Sequence, residues 1–199
     1  MRCLVLRSLI FSLMVIPLTQ VGFADALEVT LSEGDVVPMF EAKAADGMVW
    51  RSEDHIGSKF LVVYFYPADL TSGCTQQACG FRDQMKDLEE AGVEVVGVSG
   101  DSVDNHQLFA RVNSLNFSLL SDEDGKISKA FGVPAREGAT ITRKVDGVER
   151  SLVRGVTASR WTFLIDADGK IVHKDTAVDV EQDSRNILET VRRLTAQKE

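Results

Sequence analysis

The sequence predicts an α/β fold in which a central mixed sheet is flanked by helices. Two apolar, β-branched runs are each followed by a stretch of helical periodicity, and a later hairpin signal precedes a last amphipathic helix. Strands that alternate with helices in this way are typical of three-layer α/β domains. The 199 residues suffice for one well-buried core, and neither a repeat nor a linker divides them. We therefore expect one domain.

The first predicted elements run from an entry segment into a buried strand and a helix. Residues 28–50 indicate short strands around an Ala-Asp-Gly turn. Residues 60–66 form a continuous apolar and aromatic run that ends at Pro67, which favours a central strand buried on both faces. Over residues 74–91 the apolar positions recur at helical spacing, and Gly92 ends this helix.

The second half continues the alternation of strands and helices. Its predicted elements are a strand at 93–98, a helix near 102–114, a strand at 117–120, a short helix at 125–131, and strands at 162–165 and 171–173. An Asp-Ala-Asp-Gly turn joins the last two strands as a hairpin, and Asp183 or Ser184 caps the final helix. The polar stretch 134–159 fits either a β-ribbon that turns at Asp146 and Gly147 or a mobile loop.

Composition and charge exclude some classes of partner. A net charge of −8 and a pI near 5.0 argue against nucleic acid or an anionic membrane as a partner. No group of residues has metal-ligand spacing and no glycine-rich phosphate loop is present, so we expect neither a metal nor another cofactor. The three histidines, His55, His106 and His173, are scattered and are predicted to lie at the surface.

The N-terminus has the pattern of a cleavable export signal of the Sec type. A basic start precedes an apolar run over residues 9–18, and Ala24 and Ala26 fit an A-x-A cleavage site. The apolar run is shorter than the roughly 20 residues of a spanning helix, so a retained anchor is the less favoured alternative. We expect residues 1–26 to be removed, with cleavage after Ala26 or Ala24. Residues 27–199 are then one periplasmic or cell-envelope domain without stable membrane association.

Two cysteines remain in the predicted mature chain, in a compartment that permits disulfides. Thr71 suits the N-cap position of the helix, which places Cys74 in its first turn. There the unpaired N–H groups and the positive end of the helix dipole favour a thiolate. A free thiol is roughly 3% ionised at pH 7, so complete ionisation raises the reactive fraction only about thirtyfold.

The spacing of Cys74 and Cys79 excludes a disulfide on an intact helix. Positions i and i+5 differ by about 7.5 Å in rise and roughly 140° in direction, so their Cα atoms lie roughly 9 Å apart. A disulfide tolerates about 7 Å. Bond formation therefore requires the first turns to unwind, which suits a redox cycle in which a sulfenic acid on Cys74 condenses with Cys79. A loop this small adds little stability, so a structural staple is a poor explanation.

The residues from Tyr64 to Asp83 strongly resemble the peroxiredoxins, and most of all the peroxiredoxin Q or bacterioferritin comigratory protein group. Pro67, Thr71 and Cys74 match the family motif Pro-x-x-x-Thr-x-x-Cys. The resemblance implies a thioredoxin-like fold in its peroxiredoxin variant. It further implies a thiol-dependent peroxidase for hydrogen peroxide and organic hydroperoxides, active in antioxidant defence and redox homeostasis.

The same resemblance implies roles for the individual residues. Cys74 is the peroxidatic nucleophile and Cys79 the resolving cysteine, which makes the enzyme an atypical two-cysteine peroxiredoxin. Its implied partners are peroxides and a thioredoxin-like protein reductant, and the group is often monomeric. The segment from Arg160 resembles the one that supplies the active-site arginine, and a guanidinium there suits the charge on the leaving oxygen. Trp161 is predicted to pack or to form a wall of the site.

Two departures and two alternatives accompany this interpretation. Ser72 stands where the group usually has proline, and the stretch 134–159 is longer than its counterpart in the group. One alternative is an exported thioredoxin-like disulfide oxidoreductase, although such proteins carry Cys-x-x-Cys, whereas four residues separate the two cysteines here. The other is a binding domain with a structural disulfide.

Overall fold

The computed structural model describes residues 30–197 as an α/β protein with a seven-stranded mixed sheet and two small two-stranded sheets. The predicted leader over residues 1–26 and its cleavage sites lie outside the described residues. The strands are β1 Glu41–Ala44, β2 Val49–Arg51, β3 Phe60–Phe65, β4 Val93–Ser99, β5 Ser118–Ser121, β6 Ala135–Glu137, β7 Thr140–Val145, β8 Val148–Val153, β9 Val156–Ala158, β10 Trp161–Ile165 and β11 Ile171–Asp175. The helices are α1 Ser72–Glu90, α2 Val103–Asn113, α3 Lys126–Phe131 and α4 Asp183–Ala196.

The main sheet has β3 at its centre, in the order β11-β10-β3-β4-β5-β1-β2. β3 pairs in parallel with β4 and antiparallel with β10, in agreement with the predicted mixed sheet. Alternate residues of β3 enter two separate apolar layers: Leu61, Val63 and Phe65 pack with α3, whereas Val62 and Tyr64 pack with α1, α2 and α4. A strand buried on both faces explains the continuous apolar run in the sequence.

The stretch 134–159 forms a β-ribbon, the first of the two alternatives that the sequence left open. β7 pairs with β8 across a turn at Asp146 and Gly147, both with positive φ (52° and 80°), and β6 pairs with β9. Positive φ at two successive residues is the signature of a tight hairpin turn. The ribbon is joined to α2 by an ion pair from Arg111 to Asp146 (2.9 Å).

The start of the last helix differs from the prediction. Gln182 occupies the N-cap position of α4, and Asp183 and Ser184 are its first helical residues. Asp183 is buried and its carboxylate accepts hydrogen bonds from other elements. The Asp183 carboxylate therefore binds Gln77 and Thr162 and does not cap the helix, although the sequence predicts a cap at Asp183 or Ser184. Within residues 30–197, no helix is both long and apolar enough to cross a membrane.

Candidate active site

The loop that carries the motif residues Pro67 and Thr71 connects the end of β3 to the start of α1. Thr71 takes the N-cap position, with extended φ and ψ of −96° and 152°, as predicted. Its hydroxyl donates to the Ala68 carbonyl (3.0 Å) and, among the described residues, accepts no bond from the first turn of α1. The hydroxyl proton is therefore used within the loop, and the oxygen lone pairs are the part of Thr71 that can accept from a ligand. Pro67, half-buried, begins this loop.

Cys74 is the third residue of α1 and only 2% exposed. Nη2 of Arg160 lies 3.2 Å from its sulfur, so the structure brings together these two residues, which are 86 positions apart in sequence. A guanidinium at this distance stabilises a thiolate and remains positioned for negative charge that develops on a bound oxygen. Arg160 immediately precedes β10, whose pairing with β3 carries the arginine to the loop.

A series of hydrogen bonds to α1 and α4 fixes the guanidinium of Arg160. Its Nη1 donates to Oε1 of Gln77, and Nε2 of Gln77 donates to Asp183 (2.6 Å). The hydroxyl of Thr162 donates to the same carboxylate oxygen (2.9 Å). Burial raises the pKa of Asp183, and the bonds from Gln77 and Thr162 oppose that rise. Sequence reasoning missed Gln77, although it lies one helical turn after Cys74 and thus on the same face of α1.

Cys79 lies further along an intact α1 and is half-buried. Both Cys74 and Cys79 are free thiols, as far as the described residues go. Arg82, one turn later, binds Asp83 (2.7 Å); this contact raises the pKa of Arg82, and Cys79 adds to the rise. The two cysteines therefore occupy different surroundings on one continuous helix. On such a helix their spacing is too long for a disulfide, so the first turns have to unwind before the bond can form.

The surface prediction for His106 is wrong, since the side chain is completely buried. Its Nδ1 lies 2.8 Å from Asp69, a residue of the loop that leads to Cys74. α2 turns His106 and Phe109 inward, whereas the apolar Val112 on the same helix is 42% exposed. His55 and His173 are half-buried, and each pairs with a glutamate. Periodicity alone did not resolve which side of α2 is buried, because its inner face includes polar residues.

Electrostatics favour a charged His106. Burial lowers the pKa of His106, but Asp69, Asp101 and the Leu120 carbonyl together outweigh that effect, so the pKa lies above its ordinary value. Burial also raises the pKa of the Tyr66 phenol, helped by Asp69, so Tyr66 stays neutral and donates its proton to Asp69 (2.7 Å). Trp161 packs near Phe163, and the Lys174 ammonium lies 4.4 Å from its ring centroid, so its predicted packing role is confirmed.

The chain is similar to known proteins in sequence and in fold. The AhpC/TSA family model matches residues 34–174. The peroxiredoxin Bcp of Escherichia coli K12 is 43% identical over 143 residues, which cover 72% of this chain and 84% of the relative. Among solved structures, the peroxidoxin BcpB of Mycobacterium tuberculosis has a TM-score of 0.68 at 32% identity and covers 81% of this chain and 97% of its own. The bacterioferritin comigratory protein of Xanthomonas campestris has a TM-score of 0.64 at 26% identity and covers 80% of this chain and 99% of its own.

Fold and site together define a thioredoxin-fold peroxidase that works through a thiol. The structural neighbours confirm the predicted thioredoxin-like fold. The chain belongs to the AhpC/TSA family, among the peroxiredoxins of the Bcp and Q type. This family membership favours the peroxidase over the disulfide oxidoreductase and the binding domain that the sequence left as alternatives.

Proposed function

We propose that the protein reduces hydrogen peroxide and organic hydroperoxides through Cys74, with Cys79 as the resolving cysteine. The observation that carries the proposal is the contact of 3.2 Å between Arg160 and the sulfur of Cys74 at a helix start. The related Xanthomonas campestris protein is described by its alkyl peroxide reduction activity, which supports the same substrate class here. Pro67 begins the loop and shapes it, and Thr71 ends the loop and offers its oxygen lone pairs to the substrate.

In the first step the Cys74 thiolate attacks one oxygen of the peroxide. A sulfur–oxygen bond forms as the oxygen–oxygen bond breaks, and Cys74 becomes a sulfenic acid. The other oxygen leaves as alkoxide or hydroxide and takes up a proton to give an alcohol or water. Arg160 donates to the oxygen that gains negative charge, and the lone pairs of Thr71 accept from a protonated peroxide oxygen.

In the second step the first turns of α1 unwind and Cys79 attacks the Cys74 sulfur. A disulfide forms and the sulfenic oxygen leaves as water. A thioredoxin-like protein with two thiols then reduces the disulfide, and its own thiols become oxidised to a disulfide. This is the cycle of an atypical two-cysteine peroxiredoxin, and it needs only one chain because both cysteines lie on α1.

The proposal extends to location and assembly. Residues 1–26 direct export, and the mature domain works in the periplasm or cell envelope as a monomer. The experiment is cell fractionation with mass spectrometry of the recovered protein, for which we expect a chain that begins at Asp25 or Leu27. Recovery of the full-length chain in the cytosol would contradict export without touching the peroxidase proposal.

The catalytic proposal is tested by peroxide consumption with a thiol reductant. Cys74→Ser is expected to abolish the activity, because the nucleophile is gone. Cys79→Ser is expected to react once with peroxide and then to stall unless an external thiol reduces the sulfenic acid. Turnover by Cys74→Ser at the parent rate would refute the assignment. Insulin reduction faster than peroxide reduction would favour the disulfide oxidoreductase instead.

A further inference from the structure

The loop from β3 to α1 is fixed by a buried pair of side chains, Asp69 and His106, which take no part in the peroxidase chemistry. Asp69, in the middle of this loop, accepts from the Tyr66 hydroxyl (2.7 Å) and from Nδ1 of His106 (2.8 Å). All three side chains are completely buried. Buried polar groups of this kind are costly when one partner is removed, so the pair strongly favours one position of the loop.

A second carboxylate extends the pair to neighbouring elements. The backbone N–H of Asp69 donates to Asp101 (3.0 Å), which also accepts from Ser99 (2.9 Å). Asn105 on α2 donates to the other oxygen of Asp101 (3.1 Å) and to the Val153 carbonyl in the ribbon (2.9 Å). The position of Asp69 is thereby fixed from β4, α2 and the ribbon at once.

The residue after Asp69 shows why this fixation matters. Leu70 has φ 56°, a left-handed conformation that is unfavourable for a side chain with a Cβ. Such conformations persist only where the surroundings hold them. Asp69 supplies that restraint on one side, and Nε of Arg143 from the ribbon donates to the Leu70 carbonyl (3.3 Å) on the other. Thr71, the N-cap of α1, follows directly, so release of Asp69 frees the backbone at which α1 begins.

We propose that His106, acting through Asp69, is a positioning residue for Cys74 that sets the balance between the wound and unwound first turns of α1. The inference rests on the proposed function, in which the wound turn reacts with peroxide and the unwound turn forms the disulfide. His106 does not touch the reacting atoms. It stabilises the wound state, in which Arg160 contacts the sulfur, at the expense of the state in which Cys79 reaches it.

Loss of the pair therefore has opposite effects on the two chemical steps. A larger unwound population speeds disulfide formation and slows the reaction with peroxide. It also lowers overoxidation of Cys74 to sulfinic acid, because the sulfenic acid waits for a shorter time. A merely structural role would lower the stability of the fold without changing the ratio of the two rates.

The experiment compares the parent with His106→Leu, His106→Asn and Gln107→Ala. Asparagine keeps an N–H donor close to the position of Nδ1, and Gln107 is an exposed neighbour on α2 that serves as the matched control. Quenched flow with hydrogen peroxide and mass spectrometry separates the thiol, trapped sulfenic acid and disulfide forms. For His106→Leu we expect the ratio of the disulfide rate to the peroxide rate to rise about fivefold or more, the equivalent of roughly 1 kcal/mol. His106→Asn is expected to lie between this variant and the parent, and Gln107→Ala to match the parent.

A smaller rise of the ratio in His106→Leu overturns the inference, as does a parallel fall of both rates. If His106→Leu does not fold, Asp69→Asn, which removes the carboxylate with little change of shape, carries the same test. If the parent forms no sulfenic acid, the proposed function and this inference are both wrong. If the parent shows both steps but His106→Leu leaves the ratio of their rates unchanged, only this inference is wrong.

Discussion

At the scale of single residues, the guanidinium of Arg160 can act on two different atoms. It lies 3.2 Å from the Cys74 sulfur, where it places a positive charge and an N–H donor before a substrate arrives. Complete ionisation of an ordinary thiol raises the reactive fraction only about thirtyfold at pH 7. A donor aimed at a developing oxyanion is typically worth a factor of about 10²–10³. The larger contribution of Arg160 is therefore expected in the transition state, on the oxygen that leaves.

We predict that Arg160→Met lowers the second-order rate constant of Cys74 with hydrogen peroxide about 10²-fold or more. Methionine preserves much of the side-chain length but donates no hydrogen bond, so the change removes the charge with little loss of volume. Stopped-flow measurement of the first step gives the rate constant. Arg192→Met, on the exposed side of α4, is the control and is expected to match the parent. A fall of less than about thirtyfold in Arg160→Met would be explained by lost ionisation alone and would contradict the larger contribution in the transition state.

At the scale of the elements, the first turns of α1 have to be stable enough to hold Cys74 beside Arg160. They also have to unwind readily enough for Cys79 to reach the Cys74 sulfur. The helix is continuous from Ser72 to Glu90, and its first residue is a serine. Proline suits this first position, because the N–H that proline lacks has no partner within the helix there, and because its φ is already helical. The preceding Thr71 is extended, as a residue before proline has to be.

Ser72→Pro is therefore predicted to stabilise the wound turn and to slow formation of the Cys74–Cys79 disulfide. Proline at a compatible site stabilises by roughly 0.4–1 kcal/mol, which corresponds to about a twofold to fivefold slower second step. The reaction with peroxide is expected to keep its rate. Mass spectrometry of samples quenched after one equivalent of peroxide measures both steps, with Ser72→Ala as the control. Faster disulfide formation in Ser72→Pro would contradict unwinding from this end of α1.

At the scale of the whole molecule, the Asp69–His106 pair links local ionisation to the free energy of unfolding. The charged groups that face His106 are Asp69 and, further away, Asp101, while Tyr66 faces it as a neutral phenol. The pKa of His106 is raised in the folded state. The folded protein therefore binds this proton more tightly than the unfolded chain does.

The stabilisation from this proton is complete below the unfolded pKa of about 6.5 and is lost as the pH rises through the folded value. We predict that the difference in the free energy of unfolding between the parent and His106→Leu decreases as the pH rises from about 6 to 9. Urea denaturation at several pH values measures this difference, and Gln107→Ala is the control. A difference that stays constant or grows with pH would contradict a protonated His106 in the folded protein.

Parts of the fold and of the site could be predicted because their signals are local. The apolar run of β3 and the short Pro67–Cys74 motif are contained within a few residues, and Arg160 was found because it adjoins a readable strand. The pairs that surround the site could not be found in this way. His106 lies 37 positions from Asp69, and Asp183 lies 106 positions from Gln77. Only the packing of α2 and α4 against the sheet brings these polar side chains together, and hydrophobic periodicity carries no information about their partners.

The measurement that tests the central claim most directly is the mass of the reduced protein after one equivalent of hydrogen peroxide. The parent is predicted to lose about 2 Da as the Cys74–Cys79 disulfide forms. Cys79→Ser is predicted to gain about 16 Da as a sulfenic acid on Cys74, and Cys74→Ser to keep its mass. An unchanged parent mass, or the same oxidation in Cys74→Ser as in the parent, would contradict the account.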